Sequence, residues 1–175
     1  YNNETPPFDQ LYKLTQAQGM HWVAHHLKDG YRNGENSIPG FNLVVIDVDG
    51  TVNLSTAKLL LKDYKALYYT TKRHTDVQNR FRILLPTNYE LKLEAKDYKE
   101  FMHNLHEWLP FPADSSTGQV ARKWLSHAGH HEYVDGELLD VLPFIPKTSK
   151  NEDRKLQLNS QQSLDNLERW VINNT

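Results

Sequence analysis

The 175-residue sequence contains no cysteine. Disulfides and cysteine-built zinc ribbons are therefore excluded, and this residue usage suits a reducing cytoplasm, the expected location. No apolar run approaches the roughly 18 residues that a membrane-spanning helix needs. An excess of positive charge is also missing: 20 Lys and Arg stand against 22 Asp and Glu, a formal net charge of -2. A generic nucleic-acid binder is usually basic, so any basic surface here must be local rather than global. There is no internal repeat and no low-complexity tract. The first residue is Tyr1 rather than methionine, which leads us to expect a fragment or processed chain with neighbouring domains outside it.

What is present is the composition of an ordinary globular domain, 38% hydrophobic and 24% charged, in a chain long enough to bury a real core. Phe8, Leu11, Leu14, Ala17, Trp22, Val23 and Leu27 suggest helix from Phe8 to about Leu27, broken near Gly19. A loop rich in Gly, Asn and Pro follows. The run Phe41-Asn-Leu-Val-Val-Ile-Asp-Val-Asp-Gly50 reads as a buried strand that ends at the glycine. Ser55 or Thr56 can cap a helix through about Lys65 that turns Leu60, Leu61 and Tyr64 inward. Ala66–Thr71 and Arg80–Leu85 read as strands, the latter stopped by Pro86. Tyr98, Phe101, Leu105 and Trp108 recur at helical spacing between Leu93 and Leu109, before Pro110 and Pro112. Residues 111–140 look loop-rich, with short strands near Val120–Trp124 and Leu138–Val141. Residues 147–155 read as a linker and Ser160–Ile172 as an amphipathic helix.

Asp47 and Asp49 carry the strongest chemical signal. Strand side chains alternate, so residues two apart project from one face. Two neighbouring carboxylates raise each other's pKa, and a hard divalent cation such as Mg²⁺ or Mn²⁺ relieves that repulsion. Downstream, Lys72, Arg73 and His74 precede Arg80 and Arg82, whose alternation also sets them on one face. A triphosphate needs both kinds of group, metals on one side and basic donors around its oxygens. Asp114, just past the long helix, could supply a third carboxylate to a two-metal site, and Arg122 and Lys123 follow it. His25-His26 and His130-His131-Glu132 offer zinc-type side chains, although adjacent residues rarely point together. His103 and His106 share a helical face expected to be exposed.

Asp47-Val-Asp-Gly-Thr51 by itself also fits the first motif of haloacid-dehalogenase-type phosphatases, in which the first Asp is a nucleophile. The ordered set decides otherwise. Asp47-Val-Asp49, Lys72-Arg-His74, Arg80-Phe-Arg-Ile-Leu-Leu-Pro86 and Ala113-Asp114 resemble archaeo-eukaryotic-type primases, particularly those of phages and other mobile replicons. Gly30-Tyr-Arg-Asn33 with Asn36 is similar to the segment those proteins carry before their first motif, so the resemblance runs from about Gly30 to Phe144.

The resemblance implies metal binding by Asp47, Asp49 and Asp114, and contact between His74 and the incoming nucleotide. The family usually has a small hydroxyl residue two before that histidine; here the position is Lys72, with Thr71 and Thr75 nearby. Nucleotide-binding roles for Lys72, Arg73, Arg80, Arg82 and Arg122 follow from charge and position. The expected fold class is α+β: an RRM-like sheet with packed helices plus a smaller N-terminal αβ part, with the active-site cleft between them. Residues 1–146 would form the catalytic domain, and 147–175 a linker and helix leading toward a further domain, such as a helicase. The expected activity is primer synthesis from NTP or dNTP on single-stranded DNA, in the cytoplasm of a bacterial or archaeal host if phage or plasmid encoded. The alternatives are the phosphatase and a non-catalytic nucleic-acid-binding domain.

Overall fold

The apolar run from Phe41 to Val48 forms the spine of the protein. In the computed structural model, which describes residues 1–148 and Asn151, it is strand β2, Phe41–Asp49, following a short β1, His21–Trp22. The chain continues through helix α2 (Leu54–Leu60), β3 (Ala66–Thr70), β4 (Arg80–Leu91) and helix α3 (Ala95–Trp108), then β5 (Trp124–Leu125) and β6 (His131–Val134). A one-turn helix α1, Tyr12–Thr15, precedes them all. Four strands make one antiparallel sheet in the order β2-β4-β3-β6, and β1 pairs with β5 in a separate two-stranded ribbon. The architecture is the expected α+β one, with antiparallel sheets and few helices.

Alternation divides the sheet residues between two faces. Val44, Ile46 and Val48, with Phe81, Ile83, Leu85 and Tyr68, pack against Ala57 and Leu61 at α2 and against Tyr98, Phe101, Met102 and Leu105 of α3. The opposite face gives Val45, Leu67, Tyr69 and Leu84 to a second cluster with Leu11, Trp22 and Trp124. The N-terminal segment and the β1–β5 ribbon thus cover that second face, but only along part of its length.

Several boundaries differ from expectation for identifiable reasons. The first segment is not one helix: a 3-10 turn at Phe8–Gln10 and α1 are followed by Gly19 at φ 70° and then β1. The carbonyls of Thr15 and Met20 accept from the amides of His127 and Ser126, so tertiary pairing takes the place of further helical turns. Helix α2 begins at Leu54, not at a Ser55 or Thr56 cap; Asn53 is its flanking residue, and the Leu54 amide donates to Asn79 Oδ1 at 2.8 Å. Leu60 is 46% exposed, against the expected inward placement, while Leu61 is buried. Strand β4 runs on through Pro86 because β3 pairs only as far as Leu84, and Pro86 lies at a register irregularity opposite Leu43. The missing amide of Pro86 therefore costs no ladder bond to β3. Within Leu138–Val141 only Leu139 makes an isolated bridge, to Thr87, and β6 is a strand the sequence pattern did not suggest. The expected helix at Ser160–Ile172 and most of the expected linker lie outside the described residues. Among the described residues no helix is long and apolar enough to cross a membrane.

Candidate active site

The β2–β4 register places Asp47 opposite Arg82 and Asp49 opposite Arg80. Four charged side chains therefore stand together on the incompletely covered face, at the end of the sheet. Arg80 is ion-paired with Asp49. Arg82 Nε lies 3.4 Å from Asp47 Oδ1, an ion pair without a well-formed hydrogen bond. The Arg82 guanidinium is held by more than its acid. Nη1 donates to Tyr69 Oη at 2.9 Å and to the Leu125 carbonyl at 2.7 Å, and the group lies 5.0 Å from the Trp124 ring centre. Arg122 sits 5.4 Å from the same ring, so one buried indole carries two guanidinium groups.

Asp114 arrives from the chain leaving α3. Its amide donates to the Asp47 carbonyl at 2.9 Å, which lays the segment along the free edge of β2. Thr51 Oγ1 ties the same segment by donating to the Pro112 carbonyl at 2.5 Å. Asp114 caps the 3-10 turn Ser115–Thr117, its Oδ1 accepting from Ser116 N at 2.9 Å and from Ser116 Oγ at 2.6 Å. At the strand end, Gly50 adopts φ 85°, and a Cβ there would stand 2.5 Å from Gln78 Nε2, so the turn after Asp49 requires glycine.

The carboxylates are not equivalent. Burial pushes the Asp47 pKa up; the Arg82 charge opposes this, Asp114 and Asp49 add to it, and Arg122 opposes it again. Asp114 is held below its ordinary value, chiefly by the Ser116 hydroxyl, with desolvation working the other way and the Ser116 amide, Arg122 and His106 assisting. Three acids thus interact electrostatically with three arginines in one cluster.

His74 lies beside this cluster rather than in it. Its Nδ1 accepts from the Arg80 amide at 3.0 Å, and its ring lines a neighbouring cleft with Thr70, Asn79 and His130. Lys72 and Arg73 are exposed turn residues and are not drawn into the ion pairs. Arg32, from the segment before the first acidic motif, donates to the Ala121 carbonyl at 3.0 Å, next to Arg122.

Three contributors went unrecognised in the sequence. Tyr69 was discoverable, since alternation puts it on the face of Arg82. Ser116 had a local signal, the Asp-x-Ser spacing of a side-chain turn. Trp124 had none, because its placement depends on the β1–β5 pairing.

The donor set fits a hard divalent cation in kind: oxygen donors, one of them pushed toward protonation by burial and neighbouring acids. Among the described residues, however, no three His, Cys, Asp or Glu side chains already converge as a metal cage. The same holds for the zinc-type histidines. His25 is buried against Phe41 and Tyr98, His131 stacks on Tyr12, and His130 bonds Glu132 at 2.8 Å. His103 is exposed as expected, but His106 is only half-exposed, its Nδ1 2.7 Å from the Met102 carbonyl.

No protein-family model matches the sequence, and no curated protein matches it. Among solved structures, the chain is similar to the AEP domain of the cyanophage S-2L primase-polymerase. The TM-score is 0.50 at 13% sequence identity, over 81% of this chain and 78% of that one. At such identity the likeness is one of fold: the chain has a fold distantly like that of archaeo-eukaryotic primases.

Proposed function

We propose that the chain is a template-dependent nucleotidyltransferase, a primase or primase-polymerase making short primers on single-stranded DNA from NTP or dNTP. One observation carries the reading: Asp47, Asp49 and Asp114 interact at one sheet end with Arg80, Arg82 and Arg122. That is the pairing of charges that triphosphate chemistry requires.

Asp47, Asp49 and Asp114 would hold Mg²⁺ or Mn²⁺. When bound, the ions supply Lewis acidity toward the phosphate under attack and lower the pKa of the attacking hydroxyl. Arg80 and Arg82 neutralise the acids of β2 and are donors within reach of an arriving triphosphate. Tyr69, Trp124 and the Leu125 carbonyl fix the Arg82 guanidinium, so little ordering remains to be done on binding. The 3′-hydroxyl attacks the α-phosphate and pyrophosphate leaves, without a protein nucleophile. The exposed Lys72 and Arg73 would be further nucleotide-binding donors, and any helicase partner would join beyond residue 146.

The phosphatase reading needs a second acidic motif near Asp47. Its candidates Asp135, Glu137 and Asp140 sit at the other end of the sheet. Asp140 accepts from Asn88, eight residues along β4 from Arg80, or roughly 26 Å at the usual strand rise. The test is incorporation of labelled nucleotides on a single-stranded template with Mg²⁺ or Mn²⁺. Oligomers should form, and Asp47→Ala and Asp114→Ala should each reduce them by about a hundredfold or more. Normal activity in either variant, or beryllium fluoride bound covalently at Asp47, overturns the reading.

A further inference from the structure

A cleft of about 590 Å³ opens next to the acidic cluster without including any of its three carboxylates. Asn53 and Ser55 reach it from the start of α2, Thr70 from the end of β3, His74 and Asn79 from the β3–β4 loop, and His130 from just before β6. His130 has no part in the cluster described above, yet its position is closely determined.

The backbone of His130 is pinned to β3 by reciprocal bonds. Its amide donates to Thr70 Oγ1 at 3.0 Å, and its carbonyl accepts from the Thr70 amide at 2.9 Å. A Cβ on the preceding Gly129 would stand 2.8 Å from Thr70 Oγ1, so only glycine allows this approach. The ring is fixed as well: Nε2 lies 2.8 Å from Glu132 Oε1, and the other Glu132 oxygen is ion-paired with Lys58 of α2. Across the cleft, His74 uses Nδ1 to accept the Arg80 amide, which leaves the proton of its neutral ring on Nε2. Each imidazole thus spends one nitrogen on the protein and has one left.

We infer that this cleft takes the terminal phosphates of the bound nucleotide, with His130 a phosphate-binding residue and Glu132 and Lys58 its positioning residues. The inference rests on the nucleotidyltransferase reading. In its doubly protonated form the ring bridges two anions, the Glu132 carboxylate at Nε2 and a phosphate oxygen at Nδ1. His74 Nε2–H, the Ser55 hydroxyl and the Asn53 amide are further donors along the same walls. The paired Lys58 offsets the Glu132 charge, so the uncompensated acid of the lining is Asp76, which is exposed.

The test compares three probes by calorimetry: inorganic tripolyphosphate, deoxyadenosine triphosphate and deoxyadenosine. His130→Ala should weaken the two phosphate-bearing probes about tenfold, the effect of losing one charged hydrogen bond, and leave deoxyadenosine unchanged. Glu132→Gln should give a smaller loss of the same kind, His130→Gln should recover part of the affinity, and Asp76→Asn should tighten both phosphate probes. Circular dichroism melts establish that each variant is folded. Wild-type affinity for tripolyphosphate and the triphosphate in folded His130→Ala overturns the role of His130. Should the wild-type protein bind tripolyphosphate through His130 but neither nucleotide probe, the nucleotidyltransferase reading fails, and with it the assignment of the cleft to a nucleotide.

Discussion

The two faces of the central sheet are built by alternate residues of the same strands, yet they do different work. Toward α2 and α3 every inward residue of β2 and β4 at the site end is apolar: Ile46 and Val48, Phe81 and Ile83. One residue over, the other face begins apolar with Val45 and Leu84 and turns charged at Asp47, Asp49, Arg80 and Arg82. The difference lies in what covers each face. Helix α3 seals one side, while the N-terminal segment and β1–β5 ribbon stop short on the other. Asp47 is consequently desolvated enough to push its pKa up, yet remains beside open surface. A strand period of two lets one segment serve a sealed core and an accessible site at once.

The sealed face should show the largest effects. Phe101 is fully buried between Phe41 and Phe144, so Phe101→Ala should cost about 3–5 kcal/mol in urea denaturation. Leu11→Ala on the partly covered face should fall near the low end for such substitutions, about 2 kcal/mol. Equal costs would break the contrast between the faces.

On the open face the acid and base of one pair should differ. Arg82→Met leaves Asp47 without its ion-pair partner and leaves the Leu125 carbonyl with only the 3.3 Å bond from the Tyr69 hydroxyl, an expected loss of about 2–3 kcal/mol. Asp47→Asn leaves Arg82 with Tyr69, Leu125 and the Trp124 ring, and removes a carboxylate that burial already disfavours. It should cost less than about 1 kcal/mol while abolishing primer synthesis. Matching stability losses would mean that the pair is merely structural.

A pH series tests where the N-terminal segment reaches the sealed side. His25 lies 4.8 Å edge-on from the Tyr98 ring, and neither of its nitrogens makes a well-formed hydrogen bond. Burial, with the nearby His26 charge, lowers its pKa to about 4, only partly offset by the Val120 backbone. The folded pKa lies below the unfolded value, so this contribution is fully present above about pH 6.5 and is lost as pH falls toward 4. Between pH 7.5 and 5 the loss should be about 2 kcal/mol. Asp47 contributes with the opposite sign, because its raised pKa favours the folded state as pH falls. The His25→Phe variant isolates the histidine: its stability should depend on pH less steeply over this range, and an unchanged slope would contradict the burial argument.

How much of this was legible in the sequence depends on range. Strands β2, β3 and β4 and helix α3 announce themselves through apolar runs and helical spacing, and alternation alone puts Asp47 with Asp49 and Arg80 with Arg82. The pairing of those two sets is another matter. Asp47 meets Arg82 only through the register of the long-range β2–β4 pairing, and no local pattern encodes that register. Strands β1, β5 and β6 are two to four residues long and owe their existence to partners about 60 to 100 positions away, so their own residues carry almost no signal. His130 was grouped with possible zinc ligands for the same reason: its meaning comes from Thr70 and His74, which the fold brings to it.

The smallest effect discriminates most finely between a site and a surface. Arg80 and Asp49 form an ion pair like that of Arg82 and Asp47, one step nearer the strand end, but the Asp49 side chain is 56% exposed against 16% for Asp47. Solvent screening limits such a pair to about 0.2–1 kcal/mol. A double-mutant cycle with Asp49→Ala and Arg80→Ala should therefore give a coupling energy in that range, which high salt removes. The same two residues should matter far more to function. Arg80→Ala should weaken triphosphate binding about tenfold, as loss of a charged contact to phosphate does, and Asp49→Ala should abolish metal-supported incorporation. A large, salt-insensitive coupling together with wild-type nucleotide affinity in Arg80→Ala would mean that the outer pair fastens the strand end. Weak coupling with strong functional loss is what an open site built on the margin of a sealed sheet requires.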